Sequence, residues 1–95
     1  MNEDEDRIET LLGLVRDELD KAFKKHLPMN SAHEGYAVIL EELDELWEVI
    51  KCQKQNRVRM LEEALHVGAM ALRFVYDVVQ ESKFTDAIKE SASML

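Results

Sequence analysis

Residues 57–79 read RVRMLEEALHVGAMALRFVYDVV, and the fold follows from this stretch. Its apolar residues leave almost no polar face on the helix that their spacing predicts. A helix that is apolar on nearly every side is buried on nearly every side. A chain of 95 residues with two other long helices cannot easily surround it. We therefore predict an all-α helical bundle that is completed by oligomerisation, as a dimer or a tetramer.

Two amphipathic segments precede this helix, and a short helical segment follows it. Three glycines and one proline allow few chain reversals, which favours long helices. Pro28 ends the first helix, and Ser31-x-x-Glu34 is a capping box that opens the second. Residues 1–95 form one domain in this interpretation. The predicted helices run from about Glu3 to His26, from Ser31 to about Lys54, from about Arg57 to Val79, and from about Thr85 to Ala92.

The charge of the chain limits its partners. A formal net charge of −8 disfavours binding to a nucleic acid polymer, which needs a basic surface. A small nucleotide is still compatible, because a divalent cation can bridge carboxylates to phosphates. We expect no membrane span, since no apolar run approaches the ~20 residues that a bilayer requires. The acidic N-terminus and the single cysteine, Cys52, lead us to expect a cytoplasmic protein.

Carboxylates concentrate on the second and third predicted helices. Glu41, Glu42 and Glu45 lie on the second helix, and Glu63 lies one turn before His66 on the third. Side chains three positions apart on a helix share one face. Two such acidic faces on adjoining helices can form an oxygen cage for one or two Mg²⁺ ions, whose remaining positions are filled by water and substrate phosphates.

The order of these residues resembles the MazG-like branch of the all-α nucleoside triphosphate pyrophosphohydrolases. That family has Glu-Glu-x-x-Glu on one helix and Glu-x-x-Asp on the next. Glu41, Glu42 and Glu45 match the first motif, and Glu63 matches the glutamate of the second after the spacer of residues 46–62. His66 stands where the family has the aspartate. Residues 33–42 are also similar to short phage and bacterial members, and the resemblance covers roughly residues 31–77.

The resemblance implies a hydrolase that converts a nucleoside triphosphate into a monophosphate and pyrophosphate with a metal-activated water. It implies that Glu41 is a metal ligand or the catalytic base and that the metal site contains Glu42, Glu45 and Glu63, with His66 in the remaining position. The implied cofactor is Mg²⁺, and Mn²⁺ is an alternative because imidazole suits it better. The basic residues where the two helices join would contact the outer phosphates; they are Lys51, Lys54, Arg57 and Arg59.

Other interpretations of the same residues stay open. The glutamates of the second helix could be a solvated face, and His66 could be a hydrogen-bonded core histidine. Because of His66, the chain could bind nucleotide or metal without hydrolysis. It could instead be a helical module that docks a partner protein. The sequence leaves the base, the sugar and the choice between dimer and tetramer undecided.

Overall fold

A computed structural model describes residues 2–79 and 88–92 of the chain. Helix α1 spans Glu3–Lys25, α2 spans Ala32–Ile50 and α3 spans Arg57–Val78. Residues 88–92 are also helical, and no strand occurs in the described ranges. The predicted all-α chain with three long helices is confirmed. The predicted start of the short last helix, at Thr85, lies outside the described residues.

Side-chain caps explain where the helices begin. Asn2 accepts a hydrogen bond from the backbone N–H of Glu5, and Asn56 accepts from the N–H groups at the start of α3. The predicted capping residue Ser31 accepts from the N–H of Glu34 at 3.1 Å. Helix α2 ends at Ile50, so its predicted extension to about Lys54 is wrong. The polar residues that follow offer no apolar side to pack on α3, and the chain turns there instead.

Helix α3 lies at the centre of the fold. Both α1 and α2 pack against α3, whereas α1 and α2 do not approach each other. Among the described residues the buried apolar core is small. Its cluster consists of Ala22, Met29 and Met70, with Val38, Ile39, Phe74 and Val78 packed against it, and Ala69 is also buried. Because α1 and α2 are separated, a cleft runs between them with α3 as its floor.

The first turn of α2 approaches α3 closely at Gly35. This glycine is buried, and a Cβ atom there would lie 2.5 Å from Cδ2 of Phe74 and 3.1 Å from Sδ of Met29. Those separations are too short for a side chain, so glycine allows this contact between the helices.

A buried ion pair joins α3 to the end of α1. Arg73 donates from Nε to Oδ2 of Asp77 at 2.9 Å, and their side chains are only 3% and 4% exposed. The other guanidinium nitrogens of Arg73 donate to the carbonyl oxygens of Ala22 and His26. Oδ2 of Asp77 also accepts from the backbone N–H of Met29 at 2.9 Å. One arginine therefore caps the last turn of α1, and its aspartate fixes the following loop.

Much apolar surface stays exposed in the single chain. Leu61, Leu72 and Tyr76 of α3 are exposed, so α1 and α2 do not surround that helix. Within the described ranges, the expectation that α1 and α2 cannot enclose α3 is confirmed, whereas completion of the bundle by oligomerisation stays a prediction. Helix α2 also exposes large apolar side chains along one side, namely Tyr36, Leu40, Leu43 and Trp47. Within the described ranges, no helix is long and apolar enough to cross a membrane.

Candidate metal centre

Three side chains with metal-ligating atoms converge between α2 and α3. They are Glu42 of α2 and the pair Glu63 and His66 of α3, and one ligand atom from each lies within 4.8 Å of the others. Glu63 and His66 share one face of α3 because they are one turn apart. Glu42 reaches them because it lies on the flank of α2 beside that face, where it is half-buried.

The two inner carboxylate oxygens of this group lack hydrogen-bond partners among the described residues. Nδ1 of His66 lies 3.4 Å from Oε2 of Glu63 and 3.8 Å from Oε2 of Glu42. Both of these Oε2 atoms are buried without a hydrogen bond to any described residue, and the Glu63 side chain is only 10% exposed. A buried carboxylate oxygen without a partner is costly. Two such oxygens beside an imidazole nitrogen form a donor set that fits a divalent cation, which would supply the missing partner.

The outer atoms of the same side chains are engaged. Oε1 of Glu63 lies 3.5 Å from Nη2 of Arg59, which lies one turn earlier on α3. Nε2 of His66 lies 3.2 Å from Oε2 of Glu18 on α1. Oε1 of Glu18 in turn lies 3.2 Å from Nζ of Lys21. The group is therefore supported from outside by residues of α1 and α3, while its inner atoms face one another.

The surroundings of Glu42 disfavour its charge. Burial is the main reason that the pKa of Glu42 is raised, and repulsion from Glu45 is the next. Glu63 adds to the rise, whereas His66 acts in the opposite direction. Without a cation, the carboxylates of the group therefore repel one another. A bound cation would reverse that penalty, because opposite charge stabilises the ionised carboxylate.

The remaining predicted residues on α2 lie beside this group. Glu45 is exposed and acts on Glu42 through its charge, but it lies outside the group of three converging ligands. Its role as a direct ligand stays a prediction. Glu41 is exposed and lines the cleft next to Glu42.

The four predicted phosphate-binding residues do not line that cleft. Lys51 lies 2.9 Å from Glu48, and Arg59 contacts Glu63 and, at 3.9 Å, Glu62. Lys54 and Arg57 are exposed at the loop and the start of α3. The structure therefore leaves the predicted phosphate contacts as a hypothesis for these residues.

Two adjoining cavities open from the candidate centre into the cleft. The larger has a volume of about 380 Å³, and the smaller, of about 160 Å³, includes Glu18 and His66 in its lining. Both are lined by Glu42, Met70 and the basic end of α1 at Lys25 and His26. Lysine side chains of α1 thus lie on the same cleft as the carboxylates.

Three charged residues that line the cleft, Glu18, Lys25 and Arg73, were not predicted from the sequence. A signal existed for Glu18, which lies between Val15 and Ala22 in the apolar stripe of α1. Arg73 similarly interrupts the apolar run of α3. A charged residue in an apolar stripe requires a buried partner, so both positions carried information. No comparable pattern distinguishes Lys25 from the other lysines of α1.

No family model, curated protein or solved structure matches this chain. The resemblance to MazG-like enzymes therefore rests on the motif residues alone.

Proposed function

We propose that Glu42, Glu63 and His66 hold a divalent cation with which the chain hydrolyses nucleoside triphosphates to monophosphate and pyrophosphate. The pair of buried, unpartnered Oε2 atoms facing the His66 imidazole carries this proposal. A solvated acidic face would not bury these atoms, and a structural ion pair would satisfy them. The class of reaction comes from the order of glutamates on α2 and α3, which resembles the motifs of the MazG-like pyrophosphohydrolases.

The proposed reaction is a hydrolysis at the α-phosphorus. The cation would activate the attacking water and offset the phosphate charge. A bond forms between the water oxygen and the α-phosphorus, and the bridging bond to the β-phosphate breaks. Pyrophosphate leaves, and a proton of the water passes to Glu41, which lines the cleft beside Glu42. Glu45 stays in the proposal as a ligand of a further cation or as a support for Glu42.

The donor set bears on which cation is used. Mg²⁺ favours oxygen ligands, whereas an imidazole nitrogen suits Mn²⁺ better. We therefore expect both ions to support turnover and Mn²⁺ to bind more tightly. His66→Asp supplies a further oxygen ligand and should tighten Mg²⁺ relative to Mn²⁺. An unchanged Mg²⁺ affinity together with a lower melting temperature would argue that His66 is a core residue.

The decisive experiment measures pyrophosphate release from a panel of ribo- and deoxyribonucleoside triphosphates with Mg²⁺ or Mn²⁺. Glu63→Gln should abolish release, because it removes a buried ligand charge. Glu62→Gln is the matched control, since Glu62 is the exposed neighbour on the same turn, and it should keep activity. Metal and nucleotide binding without release would leave the non-catalytic alternative. A chain that neither binds metal and nucleotide nor releases pyrophosphate would refute the proposal.

The position of the triphosphate can be tested with single lysine variants. Lys54 represents the basic set at the α2–α3 loop, and Lys25 lines both cavities beside Glu42. If the loop set binds the outer phosphates, Lys54→Ala should raise KM and Lys25→Ala should not. The reverse result would move the phosphate site to the end of α1.

Self-association is the second part of the proposal. Tyr36, Leu40, Leu43 and Trp47 of α2 are exposed and recur at spacings of four, three and four residues. This spacing is typical of a helix seam that packs against another helix, and exposed apolar stripes mark interaction sites. A second copy of the chain would cover the stripe with its own. Such a dimer also accounts for the small core of the single chain.

Sedimentation at micromolar concentration should show at least a dimer. Leu43→Asp should shift the equilibrium towards the 11.0 kDa chain, because it places a charge within the stripe. Asp44→Asn, at the exposed neighbouring position, should leave it unchanged. A wild-type monomer that captures another protein instead would favour the interaction-module alternative.

A further inference from the structure

We infer that Glu18 of α1 orients the His66 imidazole so that Nδ1 binds the cation, and that this arrangement selects Mn²⁺ or Zn²⁺ over Mg²⁺. The inference rests on the proposed metal centre, whose ligands lie on α2 and α3. It adds Glu18, a residue of α1 that no motif of the sequence indicated.

The two ring nitrogens of His66 face different carboxylates. Nδ1 faces the two unpartnered oxygens of Glu42 and Glu63, at 3.8 Å and 3.4 Å. Nε2 faces Oε2 of Glu18, at 3.2 Å. The imidazole therefore lies between the candidate centre on one side and a single carboxylate of α1 on the other.

A neutral imidazole carries one N–H and one lone pair, so the partner of one nitrogen determines the role of the other. Carboxylates face both nitrogens, and none of them can donate. The separation is shortest between Nε2 and Glu18, at 3.2 Å against 3.4 Å and 3.8 Å on the Nδ1 side, which favours the tautomer with the proton on Nε2. The lone pair is then on Nδ1, where Glu42 and Glu63 leave their oxygens unpartnered. A metal-bound histidine usually donates its other N–H to a carboxylate or carbonyl, which fixes the ring and raises its basicity.

The position of Glu18 is consistent with this role. Its side chain is 22% exposed, and Oε1 is directed to Lys21 while Oε2 faces the ring. Glu63 shows the same division, since Oε1 faces Arg59 and Oε2 faces the centre. In each of these two side chains, one carboxylate oxygen faces a basic side chain at the surface and the other faces the interior of the site.

An oriented nitrogen ligand determines the class of metal. Imidazole raises the affinity for Mn²⁺ and Zn²⁺ more than for Mg²⁺, which prefers an all-oxygen octahedron. Removing Glu18 should therefore weaken Mn²⁺ and Zn²⁺ binding most and Mg²⁺ binding least. If Glu18 only stabilised the fold, its removal would lower the melting temperature and would change the affinity for all three ions by the same factor.

Titration calorimetry of Mn²⁺ and Mg²⁺ into the full chain tests this selectivity. Glu18→Met keeps the length of the side chain but removes the acceptor, and Mn²⁺ affinity should fall about 10- to 100-fold. Glu18→Gln retains an acceptor oxygen and should recover part of that loss. Glu9→Met is the matched control, an exposed glutamate of the same helix, and should bind as wild type. Melting curves without metal identify any variant that fails to fold.

A double mutant separates orientation from general electrostatics. In a His66→Gln background, Glu18→Met should have no further effect on Mn²⁺ affinity, because no ring is left to orient. Nitrogen NMR of the Zn²⁺-bound protein gives a second measurement: Nδ1 of His66 should be metal-bound and Nε2 protonated. Coordination through Nε2, or equal losses in both backgrounds, would overturn the inference.

The outcomes distinguish this inference from the proposed reaction. Glu18-dependent Mn²⁺ binding without pyrophosphate release would refute the hydrolysis and support the role of Glu18. Metal-dependent release of pyrophosphate, together with a wild-type Mn²⁺ affinity in Glu18→Met, would support the hydrolysis and refute the role of Glu18. A wild-type chain that binds none of the three ions would refute both.

Discussion

Replacing Arg73 by alanine should lower the free energy of unfolding by about 3–5 kcal/mol, because it leaves the buried charge of Asp77 without its partner. The Asp77 side chain is only 4% exposed, so bulk water solvates its charge poorly. The change also frees the carbonyl oxygens of Ala22 and His26 and removes the guanidinium 4.5 Å above the ring of Phe23. The end of α1 would lose its polar attachment to α3.

The size of the effect depends on burial, and the chain contains a matched comparison. Arg7 and Glu3 also form an ion pair four residues apart on one helix, at 2.8 Å, but their side chains are 69% and 81% exposed. Arg7→Ala should cost only about 0.3–0.5 kcal/mol, as is typical of exposed pairs on helices. The two substitutions remove the same type of ion pair at nearly the same distance. The roughly tenfold difference reflects the burial of the Arg73 pair together with the carbonyl and Phe23 contacts that Arg7 lacks.

Urea denaturation followed by helical circular dichroism measures both variants at one protein concentration. A domain of this size has a total stability of roughly 5–14 kcal/mol, so Arg73→Ala should shift the midpoint far enough to populate unfolded chains in dilute urea. Asp77→Asn should be less damaging, since the amide oxygen can still accept from Met29. A cost below about 1 kcal/mol for Arg73→Ala would refute the claim that this pair holds α1 on α3.

Four further outcomes follow from the structure. Folding raises the pKa of Glu42 above its ordinary value of 4.5, so between these two pKa values the native chain binds more protons than the unfolded chain. The native chain therefore loses stability as pH rises from 4.5 through the raised pKa. In the presence of a chelator, Glu42→Gln should melt at a higher temperature than wild type near pH 7 and at the same temperature near pH 4. Gly35→Ala should lower stability by about 1–2 kcal/mol, because overpacking against Phe74 exceeds the gain in helix propensity. Gly13→Ala, with open space around it, should raise stability by about 0.5–1 kcal/mol in the same urea assay, and equal signs for the two glycines would contradict the packing argument. The fluorescence of Trp47, the only tryptophan, should shift to the red on dilution as the apolar stripe of α2 becomes exposed, and constant emission would argue against that interface.

The helices themselves could be predicted from the residues alone. The side chains of Ser31 and Asn56 accept hydrogen bonds from backbone N–H groups two or three residues later, so these caps are local in sequence. Helical periodicity shows which side chains share a face. The sequence was therefore sufficient to place Glu63 and His66 together and to show that α3 lacks a polar side. The resemblance to MazG-like enzymes also led us to expect Glu42 beside this pair, and the structure brings the Glu42 carboxylate to Glu63 and His66.

Contacts between helices depended on the tertiary structure. Periodicity describes the face of one helix but contains neither its rotation towards a neighbour nor its axial offset, which are set by how side chains interlock. Those two quantities bring Glu18 of α1 to His66 and leave Glu45 outside the group of three, although Glu42 and Glu45 share a face. They also place Arg73 against carbonyl oxygens about fifty residues earlier, a contact that no local pattern could reveal because its partners are backbone atoms that every residue carries.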